Sequence, residues 1–218
     1  MSSFPGSPYV IKGGLVLINS VTAAVERIIT LQYNPDSLSR SLQVQGMEGD
    51  SGAGHSEPLR LKGPPVETIK VEAELDATDK LESGDTNAVQ LGLQAQLAAL
   101  ETIIYPTSTQ LLNNNRLTQS GNLEIIPMEA PLVLFIWNKN RIFPVRITEF
   151  SVTEEAFDVN LNPIRAKVSL GMRVLSVDDL GFDNKGGGIY MNYLQNKEKL
   201  AGMFSGGTLN ALGVKNIP

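Results

Sequence analysis

Ile164-Arg165-Ala166-Lys167-Val168-Ser169-Leu170-Gly171-Met172-Arg173-Val174 is the stretch that decides the fold class. Apolar side chains occupy every even position, and charged or small ones every odd position. That is the period of two an extended strand imposes. One face of this strand is therefore buried and the other meets water. Arg165, Lys167 and Arg173 form a basic row on the wet face. The same period appears a hundred residues earlier, where Ile69, Val71, Ala73 and Leu75 alternate with Thr68, Lys70, Glu72 and Glu74. Glu72 and Glu74 make an acidic row opposite in sign to the basic one. Two such rows can pair across a sheet or between subunits.

Further strands follow from the pattern. Leu132 to Trp137 is a continuous apolar run between Pro131 and Asn138, as expected of a strand covered on both faces. Asn138-Lys139-Asn140 fits a hairpin turn into the next strand. There Phe143, Val145 and Ile147 keep odd phase while Phe150 and Val152 take even phase. The slip predicts a β-bulge near Thr148–Glu149, of the kind that turns a barrel corner. Toward the N-terminus, Leu15–Ile18, Ile28–Tyr33 and the alternating Leu38, Leu42 and Val44 read as strands, with Asn34-Pro35-Asp36-Ser37 as a turn. Arg40 breaks the last of these patterns.

One helix stands out. Val89, Leu93, Leu97, Leu100 and Ile104 recur at helical spacing, Asp85 or Thr86 supplies an N-cap, and Pro106 sets the end. Gly46–Gly63 reads as a long mobile loop and Thr107–Met128 as a polar surface excursion. After Ser176 the character changes. Asp178-Asp179 and Gly186-Gly187-Gly188 mark a linker, and Tyr190, Tyr193, Leu194, Lys197, Leu200 and Phe204 form a short amphipathic helix. The expected organisation is a β domain over 1–177 and a Gly-rich arm over 178–218. Removal of Gly186–Pro218 is expected to leave the domain folded.

Composition narrows the chemistry. The 218 residues are 42% hydrophobic and 19% charged, an ordinary globular balance. A net charge of -5 with no Lys/Arg block lacks the footprint of a nucleic-acid binder. Zero cysteines exclude disulfides, thiolate metal sites and cysteine nucleophiles. The N-terminus has no basic start followed by an apolar run, and no apolar stretch is long enough to span a bilayer as a helix, so cytoplasmic synthesis without membrane insertion is expected.

Candidate catalytic groups are sparse. His55 is the sole histidine, set in Ser51-Gly52-Ala53-Gly54-His55-Ser56, a Gly-rich loop that positions a catalytic group poorly. Glu72 and Glu74 could mimic a carboxylate pair, but alternating charge is what a wet strand face already requires. Asp76, Asp79, Glu82 and Asp85 miss the spacing and the fixed glycine of an EF-hand. The triple glycine neither follows a strand-to-helix phosphate motif nor precedes Gly-Lys-Ser/Thr, so a hinge is the simpler reading. No cofactor or metal is expected.

The order of the pieces resembles the contractile injection system tube-protein family. The resemblance is carried by Gln32-Tyr33-Asn34-Pro35, Ser37-Leu38-Ser39-Arg40-Ser41 and Val66-Glu67-Thr68-Ile69-Lys70-Val71 running into the acidic loop and helix. It continues with Pro131-Leu132-Val133-Leu134, Trp137, Phe143-Pro144-Val145 and Asn160-Leu161-Asn162-Pro163-Ile164-Arg165-Ala166 to Val174. It implies a mainly β, tail-tube-like fold: an antiparallel barrel or two packed sheets with a flanking helix. Six copies would join edge to edge around a channel, as an adaptor ring between spike hub and inner tube in the baseplate of a phage-tail-like particle. Implied partners are the chain itself, the hub, the inner tube and baseplate or sheath-initiating components. The particle would be assembled in the cytoplasm and then be extracellular or cell-associated. Some relatives end in a LysM module, for which the segment after Ser176 is too short and Gly-rich.

Glu72, Glu74, Arg165, Lys167, Arg173, Tyr190, Tyr193 and Phe204 are the candidate contacts between subunits or rings. The alternatives are a plain inner-tube or tube-terminating ring, a β-rich cell-wall hydrolase, and a carbohydrate-binding module. The hydrolase would need a convergent polar set that one loop histidine hardly supplies. The carbohydrate module would need an aromatic platform, and aromatics make up 6% of the chain.

Overall fold

The alternation over Ile164–Val174 becomes an inner strand of a seven-stranded antiparallel sheet. The structure is a computed structural model that describes residues 11–19, 22–46, 60–119 and 130–217. Its strands are β1 (Gly14–Ile18), β2 (Val25–Thr30), β3 (Leu38–Gln43), β4 (Val66–Asp76), β5 (Leu132–Asn138), β6 (Arg141–Phe157) and β7 (Pro163–Val174), in the spatial order β2-β1-β5-β6-β7-β4-β3. Register follows the hydrophobic pattern. Ile69, Val71, Ala73 and Leu75 of β4 lie opposite Met172, Leu170, Val168 and Ala166 of β7, and all eight are buried. A slip of one residue would send every one of them to water.

Phe135 and Phe143 are register partners, fully buried, with ring centroids 6.2 Å apart. Each contributes about 1.5–3 kcal/mol of burial free energy. Helices cover this apolar face. Leu93, Leu97, Leu100 and Ile103 on one side and Tyr190 and Tyr193 on the other join the strand residues in a single core.

The mainly β architecture with flanking helices is as the sequence indicates, but the sheet is not closed. The expected barrel or pair of packed sheets is corrected to one open sheet with β2 and β3 as its edges. Helices take the place a second sheet or barrel closure would have filled. The bulge is present, as a register shift between Ile147 and Glu149 where β6 pairs β7.

The single long helix divides into α2 (Thr86–Leu91) and α3 (Gln94–Glu101), preceded by α1 (Thr78–Glu82). The break falls at Gly92, whose φ of +56° suits glycine and whose Cα lies so close to the Pro163 carbonyl that a Cβ has no room. Val89 and Ile104 consequently stay exposed instead of completing the stripe. Asp85 is the cap of α2, accepting a hydrogen bond from the Ala88 N–H at 2.9 Å. The polar excursion contains α4 (Ser108–Gln119), which buries none of its residues. With so little apolar periodicity, nothing in its sequence marks a helix.

The triple glycine differs from expectation as well. It lies in the first turn of α6 (Lys185–Gly202), just after α5 (Val177–Leu180). It acts there as a packing joint: a Cβ on Gly186 would come 2.5 Å from Leu180 Cδ1, and one on Gly187 would collide with the Gly181 carbonyl. Gly187→Ala is therefore expected to destabilise by about 2 kcal/mol despite alanine's better helix propensity. A urea midpoint unchanged from the parent chain would refute the close approach.

Candidate functional site

Three surfaces of the molecule offer chemistry: the wet face of the sheet, the ionic cluster that ties the C-terminal helix to an edge strand, and the tip of the long β6–β7 hairpin.

On the wet face the two charged rows lie side by side. Glu74 is the register partner of Lys167, Asp76 of Arg165 and Thr68 of Arg173. Of these partners only Arg165 and Asp76 form an ion pair, at 3.1 Å; the other ion pairs run Lys167–Glu155 at 3.2 Å, Arg173–Asp179 at 2.8 Å and Lys70–Glu149 at 2.9 Å. Glu72 and Glu74 are exposed and, among the described residues, form no ion pair. Pairs this exposed contribute at most about 1 kcal/mol each. Asp76 is occupied by Thr78 hydrogen bonds, which with Arg165 hold its carboxyl below the ordinary range. Asp85 is occupied as a cap, and no group of three or more His, Asp or Glu among the described residues could hold a metal. His55 lies outside the described residues.

Tyr190 and Tyr193 are turned inward from α6. The Tyr193 ring meets Phe143 edge-on at 4.6 Å, and its hydroxyl lies 3.2 Å from Glu67 Oε2. Arg40 of β3 completes the cluster, with Nε donating to Glu67 Oε1 at 2.7 Å and a terminal nitrogen donating to the Tyr193 hydroxyl at 2.7 Å. Lys197 approaches Glu67 at 3.7 Å and stands 4.4 Å over the Tyr193 ring. The Glu67 side chain is 5% exposed and that of Arg40 23%. Burial, then the Glu67 charge, pushes the Tyr193 phenol well above its ordinary value, and burial lowers Lys197 against the opposing pull of Glu67. The sequence reading placed Glu67 in a strand motif and Lys197 in a helical stripe but named neither as a site residue. The available signal was phase: Glu67 occupies the same odd phase as Ile69 and Val71, where a lone charge needs a partner.

Phe204 and the rest of Met203–Ile217 remain exposed, including the short 3-10 turn Leu209–Leu212. At the hairpin tip Val159 is 98% and Leu161 77% exposed, beside the exposed Phe157. Their backbone is held firmly. Asp158 accepts hydrogen bonds from the Asn160 and Asn162 N–H groups at 2.8 Å and from Asn162 Nδ2 at 2.8 Å, which together lower its carboxyl pKa. Asn162 donates in turn to the Gln90 carbonyl at 3.1 Å, and the Leu93 N–H donates to the Pro163 carbonyl at 2.8 Å. Leu161 is fixed at φ +64°. Three apolar side chains on such a tip were not anticipated from the sequence, where Asn and Asp suggest only a turn.

A family model described as contractile injection system tube protein matches residues 18–179. A search of curated proteins finds no match. Among solved structures, a chain from the tail of an empty GTA particle is similar at 12% identity and a TM-score of 0.30, with 75% of this chain and 90% of that one covered.

Proposed function

This chain belongs to the contractile injection system tube protein family, and from that premise we propose that it forms a hexameric adaptor ring between spike hub and inner tube. It is a structural tube protein of a phage-tail-like particle. The observation that carries the ring is the open sheet. Among the described residues, β2 at one edge and β3 at the other have no further strand beside them, and they carry exposed apolar side chains, Val25 and Ile28 on β2 and Leu42 on β3. Such edges are completed by pairing. Joining β2 of one copy to β3 of the next is a heterologous contact, and a heterologous contact that closes makes a ring.

In this reading the wet face with Glu72, Glu74, Arg165, Lys167 and Arg173 lines the channel. Its mixed signs present no single strong field to cargo. The adaptor position, in preference to a repeating tube ring, is supported by Met203–Ile217. Phe204, Leu212 and Ile217 are exposed on that segment, and a ring with identical neighbours above and below gains little from it. We take this segment as the free part of the arm. The partners are the chain itself and the hub, tube and baseplate components that such a ring would join, and no catalytic step is assigned to it.

Negative-stain images of the purified full chain are expected to show rings. Ile28→Lys, which places a charge on the β2 edge, is expected to cut the ring fraction about tenfold while leaving the circular dichroism spectrum intact. A full chain that stays monomeric at every concentration would sink the reading.

A further inference from the structure

We infer that Gln32 and Asn34 form a brace that fixes the angle between the two sheet edges and so sets how many copies close the ring. Copy number is what edge pairing by itself leaves open in the ring reading, on which this brace rests.

Edges β2 and β3 stand at opposite ends of the strand order, yet β2 ends at Thr30 and β3 begins at Leu38. Both amide side chains of the short connection between them bond to backbone elsewhere. Gln32 Nε2 donates to the Asp76 carbonyl at 2.7 Å, and the Asp76 N–H donates to Gln32 Oε1 at 2.9 Å. A neighbouring strand makes the same pair of bonds. They fall where β3 has run out, since Leu38 at its start lies opposite Val71, five residues short of Asp76. Asn34 does the same on the other side. The Gly13 N–H donates to Asn34 Oδ1 at 3.1 Å, and Asn34 Nδ2 donates to the Ile11 carbonyl at 2.8 Å, on the stretch that leads into β1. Lys12 Nζ donates to the Gln32 carbonyl at 2.7 Å, and the Leu31 N–H to the Gly13 carbonyl at 2.9 Å. Leu31 is buried, and Pro35 steers Asn34 away from helical backbone.

These bonds curl the sheet. Five strand spacings separate β2 from β4, about 24 Å on a flat sheet. Two residue steps from Thr30 to Gln32 cover at most about 7 Å, and an extended glutamine side chain about 5 Å. With the 2.7 Å bond added, Thr30 lies within roughly 15 Å of the Asp76 carbonyl. The two edges are therefore tied together at one end.

When β2 of one copy pairs β3 of the next, the rotation between the copies follows from how the two edges of a single chain are set. Six copies need about 60° per contact and seven about 51°, a difference of about 9°. Through the sheet alone that setting is soft. Twist between neighbouring strands ranges over about 25°, and a drift of about 1.5° at each of the six strand pairs makes up the difference. A direct tie between the edges removes that freedom. Glutamine and asparagine suit the task because each offers a donor and an acceptor side by side, whereas a carboxylate or an apolar side chain satisfies at most one of the two backbone groups.

Ring sizes of the full chain, counted in negative-stain class averages and by native mass spectrometry, test the brace. The parent chain is expected to give one dominant size. Gln32→Leu cannot bond Asp76 and is expected to cut the share of particles in that size at least about threefold, in favour of other sizes and open arcs, while its melt stays cooperative. The Asp76 amide should then exchange with deuterium about tenfold faster, a readout that needs no rings. Gly187→Ala, destabilised far from the brace, should keep the parent ring size. Parent rings whose size Gln32→Leu leaves unchanged overturn the brace and leave the ring reading standing. Equal spreading in Gly187→Ala also overturns it, since lost stability alone would then suffice. A parent chain that makes no rings overturns both. If Gln32→Leu loses its cooperative melt, Gln32→Glu replaces it, keeping an acceptor for the Asp76 N–H but no donor for the carbonyl, and the same outcomes decide.

Discussion

A chain ended after Asn184 is expected not to fold, against the sequence expectation that the domain stands without Gly186–Pro218. The segment it loses begins with α6, whose Tyr190 and Tyr193 are buried in the same core as the strand residues. Tyr193 packs on Phe143, Phe143 on Phe135, and Phe135 on Trp137 at 6.0 Å, so the aromatic row of the core has α6 as its lid. Truncating one large buried aromatic costs about 3–5 kcal/mol. Two such losses approach the whole stability of a typical domain, about 5–15 kcal/mol. Removal also uncovers Phe143 and strips Glu67 of the Tyr193 hydroxyl and Lys197. Ending the chain after Gly202 is the contrasting case. Met203–Ile217 is exposed throughout, and its loss is expected to leave the thermal midpoint within a few degrees of the full chain. Thermal melts followed by circular dichroism decide both. A cooperative melt near the parent midpoint for the chain ended after Asn184 would show that α6 is an appendage.

That contrast marks where the sequence was readable and where it was not. β4 and β7 were legible residue by residue because each has one dry and one wet face, so a period of two is written into both. The bulge in β6 was legible for the same reason, since a change of phase between Ile147 and Phe150 has no other economical cause. Gly186-Gly187-Gly188 was misleading. Glycine runs mark flexible chain when nothing packs on them, and close packing when a neighbour's backbone does. Only the position of the Gly181 carbonyl separates the two cases. Openness of the sheet was equally hidden, because inward-facing residues look alike whether a helix or a second sheet covers them. The helix break at Gly92 depended on Pro163, about seventy residues away in sequence. The hairpin tip escaped notice because Asp158, Asn160 and Asn162 announce a turn, whereas exposure of Val159 and Leu161 is a property of the assembled hairpin.

Glu67→Leu is expected to destabilise the chain by about 3 kcal/mol, because it leaves the partly buried Arg40 guanidinium with no carboxylate and the Tyr193 hydroxyl without its acidic partner. The figure sits at the lower end of the range for broken buried pairs, since Arg40 retains access to water. Arg40→Met removes the other partner. It is expected to cost less, as Lys197 remains near Glu67. The double substitution should recover much of the loss, because two apolar side chains filling that space leave no orphaned charge, and a coupling of about 2 kcal/mol in the double-mutant cycle is anticipated. Placement gives the cluster its consequence for assembly. Arg40 is on edge strand β3, while Tyr193 and Lys197 are on α6, so the cluster clamps the edge offered to a neighbour onto the helix that closes the core. In Glu67→Leu the β3 amides should exchange with deuterium faster than those of β7, since an edge strand released from its clamp opens before the sheet does. Purely additive losses in the cycle, or uniform exchange across all strands, would show that the cluster is surface charge with no hold on the edge.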